Sequence, residues 1–288
     1  MTHERAKEGV KRSLAATHAL LRRSSGEGRA VILCYHSIHP RKSFRSASPA
    51  LFGQQLDWLK DRAEVVPLAE IRSPPTNSGR GPRVAITFDD GYGDNWDFAF
   101  PLLVGRGMPA TFFLTVGLLE QDAAVIRRFS EIRRSSLDDV RPLLWEQVLE
   151  MRAAGAEIGA HTYSHPNLAR LTPSEILDEL ERSRAILEER LQAPVTTFAY
   201  PFGKPRRHVT RTGVEAVASA GYTRAVALIT RAVRESDSDL MLPRIAVGGD
   251  DLGTFAQKVT GAWDFLGWWH ERAPLWAVQA LRPGDDRL

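Results

Sequence analysis

Seven short runs of β-branched and other apolar residues recur along the chain from residue 31 onward: VILCYH (31–36), RVAITF (83–88), ATFFLTV (110–116), AEIGAH (156–161), TTFAY (196–200), YTRAVAL (222–228) and LMLPRIAV (240–247). Each has the length of a buried strand. The segments between them include PALFGQQLDWLKD (49–61), NWDFAFPLLVGRG (95–107), LLWEQVLEMRAAG (143–155), SEILDELERSRAILEERL (174–191) and TGVEAVASAG (212–221). These carry apolar residues three and four apart, the helical spacing. Repeated strand–helix units build parallel sheets, because a parallel partner can be reached only through a crossover. Seven strands predict an α/β protein with a barrel-like parallel sheet. Local signals agree: Thr172, Pro173 and Glu175 form a helix start, and Gly155 and Gly221 end helices just before strands. Residues 73–82 form a loop by composition, and the charged, weakly periodic stretch 121–141 is expected as an insertion over one rim.

A chain of 288 residues, 43% of them hydrophobic, can bury the core of one large α/β domain. Its formal charge of +3 comes from arginines scattered along the sequence rather than from a dense block. That pattern argues against a nucleic-acid surface. Cys34 is the single cysteine, so no intrachain disulfide can form, and its apolar setting predicts a buried strand position. The first 29 residues are expected as a basic helical extension, residues 30–250 as the barrel domain and residues 251–288 as a Trp-rich helical extension. The N-terminal stretch is charged throughout and no segment is long and apolar enough to span a bilayer, so the expected location is cytoplasmic; docking of the basic N-terminal helix on a membrane is the alternative to a frayed helix and is not predicted.

On this frame the chemically active side chains fall at strand exits: His36 after VILCY, Asp89 and Asp90 after AITF, His161 and His165 after AEIGA, and YPFG (200–203) after TTFA. Loops at the carboxyl ends of parallel strands converge on one face, where sites form. In HTYSHP the proline after the second histidine disfavours a helix and predicts a turn that aims both rings at one point. Two imidazoles and one carboxylate are a facial ligand set for Zn²⁺ or a similar divalent ion, with coordination left for water and substrate. Adjacent acids suit a helix N-cap as well, and Asp94, before NWDF, is the better candidate for that place.

TFDDG (87–91), HTYSHP (161–166) and AYPFG (199–203) together resemble, in order and spacing, the first three motifs of the polysaccharide deacetylases. That family includes enzymes acting on chitin, peptidoglycan and acetylxylan, and the likeness spans roughly residues 32–247. Carried over residue by residue, it implies that Asp89 is the general base and that Asp90, His161 and His165 bind the metal, most simply zinc. It implies a distorted (β/α)7 barrel and hydrolysis of N-acetyl groups on an N-acetylglucosamine-type saccharide. An esterase or deformylase with the same metal site, or a silent glycan-binding module, would share these motifs. The ligand set agrees with the chemistry: an ion lowers the pKa of its water, a carboxylate takes the proton, and the oxyanion is stabilised. Tyr200, Pro201, Phe202 and Gly203 would line the acetyl pocket, with a backbone N–H near Phe202 as a second oxyanion donor.

Two departures stand out. The third motif of the family commonly has arginine where this chain has Ala199, and the late leucine-x-histidine motif, source of the general acid, has no counterpart after LMLPRIAV. The pairing of CYHSI (34–38) with FAYPFG resembles instead the branch that deacetylates biofilm exopolysaccharides such as poly-N-acetylglucosamine. There the histidine after the first strand is proposed as the acid, which here is His36; His208 and His270 are the alternatives. Arg244, grouped with the binding residues, is the expected substitute for the missing arginine, gripping Asp89 from the last strand. Trp263, Trp268 and Trp269 are expected to pack a C-terminal helix on the barrel, with stacking on sugar rings or a place at a membrane interface as the alternatives.

Overall fold

The computed structural model describes residues 28–41, 46–74, 81–133 and 141–272. The expected N-terminal helix, residues 134–140 of the insertion and the chain after residue 272 therefore lie outside the described residues. The strands are β1 (Ala30–Tyr35), β2 (Glu64–Val65), β3 (Arg83–Phe88), β4 (Ala110–Leu114), β5 (Glu157–Ala160), β6 (Thr197–Ala199), β7 (Arg224–Leu228) and β8 (Leu242–Ala246). The helices are α1 (Pro49–Arg62), α2 (Phe100–Val104), α3 (Val116–Leu119), α4 (Ala123–Arg133), α5 (Trp145–Ala153), α6 (Pro173–Leu191), α7 (Arg211–Ser219), α8 (Leu252–Thr260) and α9 (Phe265–Arg272).

Every strand pairing is parallel. β1 pairs with both β3 and β8, which closes β1-β3-β4-β5-β6-β7-β8 into a seven-stranded barrel. The seven runs read from the sequence are these seven strands. The short β2 was not anticipated, since two residues give no periodicity; it shares one edge of β3 with β4, β2 beside Arg83 and Val84, β4 beside Ile86 to Phe88. The closure is uneven, because β5 and β6 touch through one residue pair, Ala160 and Phe198. No regular helix separates β7 from β8; a single 3₁₀ turn, Asp239–Met241, does so.

Period two sorts the strand side chains into two layers. Ile32, Ala85, Phe113, Ala199, Val226 and Leu242 meet inside the barrel, closed from the bottom by Leu68 and Ile71 of the chain after β2. Their neighbours Leu33, Ile86, Phe88, Phe112 and Phe198 face outward and pack under the helices. The inward positions continue past the strand exits to His36, Asp89, Thr115 and His161, so one parity rule carries the apolar interior up into the polar site.

The predicted start of α6 is present: the Thr172 hydroxyl accepts from the Glu175 N–H and the Glu175 carboxylate accepts from the Thr172 N–H. Asp94 behaves otherwise than expected. It makes no capping bond to the wide turn Asn95–Ala99 that leads into α2, because its carboxylate is turned toward the loop after β1. The described part of the 121–141 insertion is α4, whose buried Phe129 sits edge-on to His165 with ring centroids 5.4 Å apart. The C-terminal segment lies at the other end of the barrel: Arg29, just before β1, pairs with Asp264 through bonds of 2.8 and 3.0 Å. Trp263 is buried there, packed with Ala262, Phe265 and Leu266, and its indole N–H donates to Gln257 Oε1. Among the described residues no helix is long and apolar enough to cross a membrane.

Candidate active site

Asp90, His161 and His165 converge at the exits of β3 and β5. Their donor atoms lie within 4.8 Å of one another and all three residues are buried. The Asp90 Oδ1 atom is 3.5 Å from His161 Nε2 and 3.4 Å from His165 Nε2. Ligands about 2.0–2.1 Å from a tetrahedral ion stand about 3.4 Å apart, so these spacings suit one small divalent cation between them. The His161 Nδ1–H donates to the Ala199 carbonyl at 2.7 Å, which leaves the lone pair on Nε2, facing Asp90. The residues therefore fit a metal ion.

The backbone is bent to achieve this. Four of the seven described non-glycine residues with positive φ are Asp90 (79°), Thr162 (66°), His165 (55°) and Phe202 (60°). Left-handed backbone at residues with a side chain costs of order 1–3 kcal/mol each, and persists where surrounding contacts over-determine it. For the HTYSH turn those contacts come from Glu179 on α6, whose carboxylate accepts from the Tyr163 N–H, the Ser164 N–H and the Ser164 hydroxyl. The Thr162 hydroxyl adds one bond, accepting from the His165 N–H at 3.0 Å.

Asp89, next to Asp90 but on the inward parity, is held differently. Both its oxygens accept from Arg244, at 2.6 and 2.8 Å, and Cys34 Sγ lies 3.3 Å from Oδ2. Arg244 also donates to the Thr87 hydroxyl at 3.1 Å. Burial raises the carboxyl pKa, but the Arg244 charge, His161, the Arg244 hydrogen bonds and His36 outweigh it and bring Asp89 down to about 2. His36 lies at the exit of β1, beside β3, with Cys34 and Asp89 in a second compact group. The cation that the sequence lacks at Ala199 on β6 is thus supplied at Asp89 from β8.

Two of the expected binding residues are placed elsewhere. Tyr200 has the outward parity: its ring packs with Phe198 under the helices and its hydroxyl donates to the Leu240 carbonyl. Arg244 is fully buried beneath Asp89 and presents no surface to a ligand. Pro201 and Gly203 form a tight turn, with the Gly203 N–H donating to the Pro201 carbonyl at 2.7 Å. Phe202 packs its ring against His165, with centroids 4.8 Å apart, and against His208 at 5.1 Å. The side chain of His270 lies outside the described residues. Sequence reading missed Cys34, Thr87 and Glu179. The first two stand two residues before His36 and Asp89, so inward parity was the signal for them; Glu179 is distant in sequence and carried none.

The comparisons agree with this geometry. A sequence model of the family described as polysaccharide deacetylase matches residues 76–225, about half of the chain. The Bacillus subtilis (strain 168) protein YxkH, named for the same family, is 28% identical over 235 residues, 79% of this chain and 76% of that one. The poly-β-1,6-N-acetyl-D-glucosamine N-deacetylase of Staphylococcus aureus (strain MRSA252) is 24% identical over 217 residues, 71% of this chain and 69% of that one. The structure of IcaB from Ammonifex degensii superposes with a TM-score of 0.65 at 27% identity, covering 82% of this chain and 98% of that one. With the motifs in order, the barrel closed and the Asp-His-His group assembled at its mouth, the chain belongs to the polysaccharide deacetylase family.

Proposed function

We propose that the protein is a metal-dependent N-deacetylase acting on N-acetylglucosamine-type residues of a glycan, in the exopolysaccharide branch of its family. The observation that carries this is the division of labour at the strand exits: one group of Asp90, His161 and His165 spaced for an ion, and beside it Asp89, pinned by Arg244 and facing His36. Asp90, His161 and His165 would hold the ion, zinc by the preference of a two-nitrogen, one-oxygen donor set. When bound, the ion supplies Lewis acidity, polarising the amide carbonyl and making a water acidic enough for a carboxylate to deprotonate.

The chain's own residues do the rest. Asp89 accepts the proton of the attacking water; its two bonds to Arg244 fix the oxygens and keep the group charged. His36 delivers a proton to the departing amine from the neighbouring strand exit. Phe202, with its ring against His165, bounds the space for the acetyl methyl. The test is acetate release from a panel of N-acetylglucosamine oligomers of varied linkage, with O-acetylated xylan and N-formylated sugars as competitors, each before and after metal removal and replacement. Release from the N-acetylated oligomers that vanishes on chelation and returns with zinc supports the reading. Release from the O-acetyl or N-formyl substrates alone overturns it.

A further inference from the structure

The loop that follows β1 is held by two consecutive residues that no part of the proposed chemistry uses. Asn95, fully buried, donates from Nδ2 to the His36 carbonyl at 2.8 Å. Asp94 accepts from the Ser37 hydroxyl at 2.5 Å through Oδ2 and from the Ile38 N–H at 3.2 Å through Oδ1. The Asn95 amide also donates to Asp94 Oδ1 at 3.0 Å, locking the two to each other. Three successive residues, His36, Ser37 and Ile38, are thus each tied to the turn that begins with Asp89 and Asp90.

We propose that Asp94 and Asn95 are positioning residues for His36: they fix the β1 exit loop against the β3 exit turn and so hold the imidazole beside Asp89. This rests on the reading of His36 as the acid. Separate strands give no covalent control of the distance between an acid and a base, and a displacement of about 1 Å can cost about 100-fold in rate. A clamp that ties the backbone of one partner to the turn carrying the other removes that freedom. The residue types fit the task, since the loop offers two donors and one carbonyl and the pair supplies two carboxylate oxygens and one amide. The carboxylate is also a demanding choice. Burial pushes the Asp94 pKa up to about 6 against the pull of Ser37, Ile38, His39 and Arg141, so an anion here is kept at a cost that helix capping would not require.

The experiment uses the full-length, zinc-loaded protein. In Asp94→Ala the ring resonance of His36, assigned by its loss in His36→Gln, is expected to move or broaden, while those of His161 and His165 and the metal content stay as in the wild type. Turnover is expected to fall about 10- to 100-fold with KM unchanged, and Asp94→Asn, which keeps an acceptor, to recover part of the loss. In the His36→Gln background Asp94→Ala is expected to cost nothing further. An unmoved His36 resonance, or a loss that adds in full to that of His36→Gln, overturns the clamp. Unchanged turnover in His36→Gln alone overturns the role given to His36, whereas the ring resonance judges the clamp separately. Ser37→Ala, which removes one bond at the other end, gives the same readings if Asp94→Ala does not fold.

Discussion

Replacing Arg244 by lysine separates orientation from charge at Asp89. The guanidinium gives Asp89 two bonds, of 2.6 and 2.8 Å, and Thr87 a third. A lysine ammonium keeps the charge but cannot hold both oxygens in one plane. One lost hydrogen bond to a charged group is worth about 1.5–3 kcal/mol. Expressed fully in the transition state, that is a fall in turnover of about 10- to 150-fold. Metal content should be unchanged. Replacing Arg244 by methionine goes further, because it takes from a buried carboxylate its bidentate counter-charge, at a cost of about 3–5 kcal/mol in stability. The pH dependence follows from Asp89. Its folded pKa of about 2 lies below the ordinary 3.8, so the ionised group adds stability above about pH 4 that is lost as the pH falls toward 2. The contribution is about 2 kcal/mol at neutral pH. In Arg244→Met that acid limb should flatten or reverse, since burial alone raises the pKa. The assays are acetate release, metal analysis, and thermal unfolding from pH 2 to 8. Wild-type turnover in Arg244→Lys, or an unaltered acid limb in Arg244→Met, would refute the reasoning.

Alanine at Asp90, His161 or His165 should each strip the protein of most of its metal, because each removes one of three donors; full occupancy in all three variants would sink the ligand assignment. Asp89→Asn keeps the shape and removes the basicity, so turnover should fall by about 100-fold or more while the metal stays bound, measured by acetate release and metal analysis on the same sample. Gly203→Ala should destabilise the fold by about 1–3 kcal/mol, since Gly203 has φ +61° and a Cβ there would stand 2.8 Å from the Leu228 nitrogen; thermal unfolding at neutral pH checks it.

Much of the protein is decided by local pattern. Seven apolar runs alternating with helical spacing leave a parallel sheet as the way to pair the strands, and the position of Asp89, Asp90, His161 and His165 just past those runs puts them at the exits. The capping box at Thr172 and Glu175 is equally local, since both its partners lie within one turn. What sequence could not decide is what depends on the other side of the barrel. Tyr200 sits inside the YPFG motif, yet the parity of β6 turns it outward under the helices. Asp94 precedes a helical run like any cap, but the closure of β1 onto β3 brings Ser37 and Ile38 within reach and its carboxylate goes there. Arg244 is expected at Asp89 from its place at the start of the last predicted strand and from the two-point grip of a guanidinium, yet it lies 155 positions away; only the closure of β8 onto β1 makes them a bidentate pair. Spacing along a chain fixes which faces its residues share, because backbone geometry is periodic. Which faces then meet is fixed by the register of strands distant in sequence, and that is a property of the closed barrel alone.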